Sequence, residues 1–251
     1  MLFEKRAAEM SDHEESEYSM RRRFFVGEVR NGHAQIDGDD ARHLTRVLRV
    51  EAGQRYEISD NRNVYLAEIE TARKEHVVFR TLEKLESPLP GPRLILCAAL
   101  FKFDRFEWMI EKATELGVSE IVPVETTRSE HGLERAAHKR VERWRRIALE
   151  ASQQSRRAFL PEITEPHSLQ DALAISVAHR LVLDEACAAP MAIPGASDSI
   201  ALLVGPEGGW TDEERALFGA WTPVSLGPLI LRAETAAITA LAIVGNASRL
   251  K

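Results

Sequence analysis

Two stretches in the last fifth of the chain combine residue types that can hold a small molecule and act on it. The first is Gly205-Pro206-Glu207-Gly208-Gly209, directly after the apolar run Leu202-Leu203-Val204. Glycines in such a place let the backbone approach a ligand closely and turn its N–H groups towards it, and Pro206 stiffens the turn. Glu207 speaks against a phosphate and for a ligand with cationic or hydroxyl groups. The spacing is neither GxGxxG nor a P-loop, so a nucleoside triphosphate is a poor fit, and a plain tight turn would also use these glycines. The second stretch is Leu226-Gly227-Pro228-Leu229-Ile230-Leu231-Arg232, running into Glu234-Thr235-Ala236. It sets an arginine, an acid and a hydroxyl at the start of a long apolar helix. Arg232 either acts on a ligand or simply pairs with Glu234, and the residue types leave both open.

Both stretches follow strands, and the surrounding pattern is an alternation of strands and helices. The continuous apolar run 94–100 reads as a strand buried on both faces. A helix follows over 104–116, with Phe106, Met109, Ile110, Ala113 and Leu116 on one face and Gly117 closing it. Strands are expected at 121–124, 181–183, 200–204 and 223–226, with a helix at 139–154 that turns Val141, Trp144, Ile147, Ala148 and Ala151 inward. Thr211 with Glu214 forms a capping box, and a last helix covers 233–250. This is an α/β domain: a mainly parallel sheet with helices on both faces, which binds ligands beyond the carboxyl ends of its strands.

The N-terminal half has a different texture. From Phe24 to about Leu85 short strands alternate with turns, among them the hairpin signal Asn31-Gly32, with one helix over 39–48. That pattern predicts a small β-barrel. The expected organisation is a disordered acidic tail at 1–19, a barrel at 20–86, a Pro-rich linker at 87–92 and the α/β domain at 93–251.

Composition excludes several classes. The 251 residues carry a net charge of −6, which argues against indiscriminate polyanion binding. Locally the picture differs. Arg21, Arg22, Arg23, Arg30, Arg42, Arg46 and Arg49 crowd the barrel, and eight basic residues stand against two acids between 135 and 157. Arginine suits phosphates and base edges, so a nucleic-acid partner gains ground over two merely solvated faces. Cys97 and Cys187 lie far apart without a CxxC, so neither a disulfide scaffold nor a Cys-rich metal site is expected. There is no apolar run of membrane-spanning length and no secretory signal, and the expected setting is the cytoplasm.

"LLVGPEGGWTDEE" and "SLGPLILRAETAAITAL" together resemble the two cofactor-loop motifs of the ribosomal RNA small-subunit methyltransferase E family, of the SPOUT class. "MRRRFFV", "DDARHLTRVLRV", "FKFDRFEWMIEKATELGVSEIVPVETTRS" and "ERWRRIALEASQQSRR" resemble its other landmarks in the same order, so the likeness runs from Met20 to about Leu250. The resemblance implies a PUA-like N-terminal barrel, a C-terminal domain with a deep trefoil knot, and a homodimer. It also implies S-adenosylmethionine as methyl donor and methylation at N3 of one uridine in 16S rRNA of the small ribosomal subunit, with neither metal nor membrane.

Carried over residue by residue, the resemblance assigns cofactor contacts to Leu183, Gly205, Pro206, Glu207, Gly208, Gly209, Leu226, Gly227 and Leu231. It assigns RNA contacts to Arg22, Arg23, His43, Arg46, Arg49 and Arg157. His43 otherwise reads as a barrel histidine. Arg232 is the candidate for stabilising charge on the uracil oxygens, and Glu234, or water, for taking the N3 proton. Two departures stand out: the family often has arginine where Leu229 stands, and an acid and a glycine where Gln153 and Arg156 stand. The competing readings are a SPOUT methyltransferase on another RNA, perhaps at a ribose 2′-oxygen, and a non-catalytic RNA-binding assembly protein.

Overall fold

The structure is a computed structural model that describes residues 22–86, 91–187, 189–191 and 199–247. The acidic tail 1–19, Arg21 and most of the Pro-rich linker lie outside the described residues. The chain forms two compact units. The first comprises residues up to Pro88 together with Ser152–Leu160, and the second comprises Leu89–Ala151 and Pro161–Lys251.

The first unit is built on five strands: β1 (Arg23–Phe25), β2 (His33–Asp37), β3 (Arg55–Ser59), β4 (Val64–Arg73) and β5 (His76–Leu85), in the order β1-β3-β4-β5-β2. β1 runs parallel to β3 and the other pairs are antiparallel. The β4–β5 register shifts twice, at Leu66/Ala67 and Ile69/Thr71, and such bulges bend and twist a sheet. Asn31 and Gly32 both take positive φ, as a tight hairpin turn demands. One helix, α1 (Gly38–Arg46), seats Ala41 and Leu44 against a core of Phe24, Ile58, Ile69, Val77 and Phe79. The sequence carries this helix on to residue 48 with Val47 as an apolar contact. In the structure it stops at Arg46 and Val47 is exposed, while Val50 is buried.

The segment Ser152–Leu160 belongs to this unit although the sequence assigns it to the second. Glu57, on β3, explains the attraction. Its Oε2 accepts from Nε and Nη2 of Arg23 at 3.0 and 2.6 Å, its Oε1 pairs with Arg156, and Arg23 Nη1 donates to the Arg156 carbonyl at 2.8 Å. Ser59 Oγ donates to the Ala158 carbonyl at 2.6 Å, and the Leu160 amide donates to Asn61 Oδ1 at 2.7 Å.

The second unit is a wholly parallel sheet in the order β12-β10-β11-β6-β7-β8, with β9 pairing β7. Its strands are β6 (Arg93–Ala99), β7 (Glu120–Glu125), β8 (Glu162–Ile163), β9 (His167–Ser168), β10 (His179–Leu183), β11 (Ser199–Val204) and β12 (Thr222–Val224). Its helices are α2 (Phe103–Glu115), α3 (Leu133–Ala137), α4 (Val141–Gln154), α5 (Leu169–Leu173), α6 (Asp212–Leu217) and α7 (Ala233–Ala247), with a 3-10 turn at His138–Arg140 leading into α4.

Strand side chains alternate between two cores. Leu94, Leu96 and Ala98 of β6 and Ile200, Leu202 and Val204 of β11 enter one, with Phe106, Trp144 and Leu241. Ile95, Cys97, Ala201 and Leu203 enter the other, with Trp210, Phe218 and Trp221. A strand that is apolar throughout is therefore buried on both sides, and burial pushes the Cys97 thiol far above its usual range. α7 is apolar nearly all round because it packs against α2, β6 and β11 together.

Candidate cofactor site

β12, β10 and β11 are neighbours in the sheet, so the loops that leave their carboxyl ends meet. Between them lies a cavity of about 260 Å³, near the lower end of the roughly 300–1,000 Å³ common for small-molecule sites. All nine residues expected to touch a cofactor line it: Leu183 at the end of β10, residues 205–209 after β11, and Leu226, Gly227 and Leu231 after β12. Asp184, Glu185, Leu229 and Ile230, which the sequence does not single out as contacts, line it as well.

The glycine loop is held by its neighbours as well as by its own turn. A Cβ on Gly205 would come within 2.9 Å of the Trp210 ring, which is buried and donates from Nε1 to the Leu183 carbonyl at 2.9 Å. Trp210 thereby ties the loop to β10. Gly209 takes φ +67 and donates its N–H to the Pro206 carbonyl, and Arg128 Nη1 donates to the Gly208 carbonyl at 2.9 Å. In the second loop Gly227, at φ +124, is set by Ser225, whose Oγ accepts the Gly227 amide. The capping box is present: Thr211 Oγ1 accepts the Glu214 amide, and Glu214 accepts the amides of Thr211 and Thr127.

Charged groups at the cavity are mostly acidic. Asp184 is buried and accepts from Nε and Nη2 of Arg215 at 2.9 and 3.1 Å. Burial pushes its carboxyl up, but the Arg215 bonds and the Ala186 amide outweigh that and hold it below the usual carboxylate value. Glu207 pairs with Arg105, from the first turn of α2. Arg105 also places Nε 3.8 Å from Oε1 of Glu234, which is buried in the first turn of α7. Arg232 is exposed and forms no ion pair with a described residue, so the alternative in which it merely neutralises Glu234 is not what the structure shows. Arg105 is the group that sequence reasoning missed. Its signal was a cation in the first turn of a helix, the end where the macrodipole disfavours it.

The residues expected to face RNA fall into two sets. Arg22, Arg46 and Arg49 are exposed, and neither Arg46 nor Arg49 forms an ion pair among the described residues. His43 is half-buried in the last turn of α1. Arg23 departs from the expectation: it is buried, and its guanidinium is taken up by Glu57 and the Arg156 carbonyl. Arg157 is half-buried and donates from Nε to the Phe159 carbonyl at 3.0 Å. Part of the basic run 135–157 is internally neutralised: Arg140 and Arg143 share Glu107, whose carboxyl the Arg143 bonds hold below its usual value.

Comparison with known proteins places this arrangement. The family described as the RNA methyltransferase domain matches residues 87–245, and the RNA methyltransferase PUA domain matches residues 36–82. The ribosomal RNA small subunit methyltransferase E of Bacillus subtilis is 30% identical over 86% of this chain and 90% of its own length. That of Synechocystis is 36% identical over 80% of this chain and 68% of its own. The chain belongs to the ribosomal RNA small subunit methyltransferase E family. Its solved relatives agree. The Neisseria gonorrhoeae family member bound to S-adenosyl methionine superposes with a TM-score of 0.80 at 28% identity, covering 88% of this chain and 95% of that one. A Legionella pneumophila methyltransferase in complex with bound SAM superposes with a TM-score of 0.81 at 31% identity, covering 90% and 97%. The parallel sheet is thus the SPOUT fold of the methyltransferase E family, and the five-stranded unit is PUA-like.

The residues present fit such a cofactor. S-adenosylmethionine carries a sulfonium and an ammonium, and the cavity lining offers Asp184, Glu185 and Glu207 but no basic side chain. Oε2 of Glu234, close behind Arg105, is buried without a hydrogen-bond partner. A buried acceptor left open in this way is costly unless a ligand or water meets it.

Proposed function

We propose that this methyltransferase acts on N3 of a specific uridine in 16S rRNA of the small ribosomal subunit. The observation that supports the reading is the convergence of both cofactor loops on one cavity, with Arg232 and Glu234 at the adjoining start of α7. When bound, S-adenosylmethionine supplies an activated methyl group on a sulfonium centre.

The chain's own residues then have three tasks. The loops at 205–209 and 226–231 fix the cofactor so that proximity and orientation lower the barrier. Uridine N3 must lose its proton at or before transfer, which spreads negative charge onto O2 and O4. Arg232, with no carboxylate among the described residues holding it, meets that charge, and Glu234 or a water accepts the proton. Arg22, Arg46 and Arg49, together with His43 and Arg157, are the residues we assign to RNA, with the arginines on phosphates. The base leaves its stack to reach the pocket. The homodimer and the trefoil knot belong to the same proposal, and sedimentation of the full chain tests the first.

The deciding experiment is methyl transfer from labelled S-adenosylmethionine to small ribosomal subunits lacking base methylation, followed by digestion and mass spectrometry of the nucleosides. N3-methyluridine at one site, lost in Arg232→Ala, is the expected result. A 2′-O-methylated nucleoside, or transfer only to another RNA, overturns the substrate. Absence of both transfer and cofactor binding leaves an RNA-binding protein without catalysis.

A further inference from the structure

The cluster that joins Glu207, Arg105 and Glu234 is absorbed by neither loop. Three segments far apart in sequence supply it: the first turn of α2, the glycine loop after β11, and the first turn of α7. Arg105 Nη1 donates to Glu207 Oε1, while its Nε lies 3.8 Å from Glu234 Oε1. Nothing in helix stability explains a guanidinium here, because the N-terminal turn of α2 repels a cation and already has Asp104. One guanidinium serves two carboxyl groups, and Glu234 Oε2 is buried with no hydrogen-bond partner. Such an arrangement is incomplete until a cation or an N–H donor arrives.

We propose that Arg105 is a positioning residue that sets Glu207 of the cofactor loop and Glu234 of the last helix together for an organic-cation ligand. With one planar, rigid fork it fixes the loop carboxylate at the cavity and the helix carboxylate behind it, so that loading of the cofactor and placement of the proton acceptor are linked through one side chain. A lysine's single ammonium cannot span both acids in the same way. The Glu234 half of this linkage rests on the methyl-transfer reading given above, whereas the Glu207 half rests on cofactor binding alone.

The test uses the full chain with Arg105→Gln, Glu207→Gln, Glu234→Gln and the two double variants containing Arg105→Gln. S-adenosylmethionine binding is titrated calorimetrically, and single-turnover transfer to undermethylated small subunits is measured at saturating cofactor. Arg105→Gln is expected to weaken binding about 10-fold, yet to add less than about threefold on top of Glu207→Gln, because contacting residues do not act additively. It is expected to slow transfer about 30-fold, and again to add less than about threefold on top of Glu234→Gln.

Arg105→Lys should regain part of the binding and little of the rate. Effects that simply multiply in both double variants overturn the proposal. So does an Arg105→Gln melting temperature lowered by more than about 5 °C with Arg105→Lys no better in either assay, since that marks a merely structural role. Failure of the wild-type chain to methylate small subunits sinks the substrate reading instead, and the Glu207 binding cycle then decides for or against Arg105 by itself.

Discussion

Gly205 shows how little room a single position can leave. Its missing Cβ is the space into which the Trp210 ring packs, and that ring is pinned by its bond to the Leu183 carbonyl. Gly205→Ala must therefore move a buried indole, and we expect a loss of about 2 kcal/mol in unfolding free energy, as overpacking commonly costs. Cofactor affinity should fall about tenfold in calorimetry, because Leu183 and the loop line the same cavity. Asp184 makes a pH prediction. Its carboxyl is held below the usual value, chiefly because the Arg215 hydrogen bonds outweigh burial. The stability it contributes is complete above the unfolded-state carboxylate range near pH 4, and is lost as pH falls below that through the depressed folded value. Arg215→Ala, which leaves Asp184 buried without its cation, should cost about 2 kcal/mol at neutral pH and flatten the acid limb of the stability curve. Denaturant titrations from pH 7 down to pH 3 measure both.

Among the elements, α6 depends on its first turn. Its capping box joins Thr211 to Glu214, and Glu214 also accepts the Thr127 amide from the loop after β7. Thr211→Ala should cost about 1 kcal/mol, the usual value of a lost cap. Glu214→Ala should cost more, since it strands two backbone donors instead of one, and a denaturant midpoint comparison ranks the two. This element was legible because a capping box is a local signal, as were the buried faces of α2 and α4. The turn at 152–160 was not. Its placement depends on Glu57, about a hundred residues earlier, and no periodicity carries that information. The turn also gives meaning to a departure from the family pattern. Arg156 stands at φ +56, the left-handed region that glycine occupies without strain, and glycine is what the resemblance in sequence leads one to expect there. Arg156→Gly should thus stay within about 1 kcal/mol of wild type, with relief of strain offsetting the lost contact to Glu57. Glu57→Gln, which leaves Arg23 buried and unpaired, should cost about 3 kcal/mol.

At the scale of the whole molecule, the net charge of −6 and a nucleic-acid partner are compatible because the cations are unevenly distributed. Arg46 and Arg49 carry no partner among the described residues, whereas Arg140 and Arg143 are occupied by Glu107. If the first pair meets phosphates, Arg46→Ala or Arg49→Ala should each lower the salt slope of RNA binding by about 1, and do so on any RNA sequence. The α/β alternation, the two loops that line the cavity and the existence of a second unit could be read from the chain, since each rests on local pattern or motif. Arg105 and the true composition of the first unit could not, since each is defined by partners distant in sequence. That composition bears on how the protein is made. Synthesis delivers residues in order, and the N-terminal unit lacks Ser152–Leu160 until the chain has grown well past its own last strand. At the moment β5 leaves the ribosome, Glu57 has Arg23 but not Arg156, and Ser59 and Asn61 have no carbonyl or amide from the later segment to meet. The first unit to emerge is thus not finished until Leu89–Ala151, the opening part of its neighbour, has also been made.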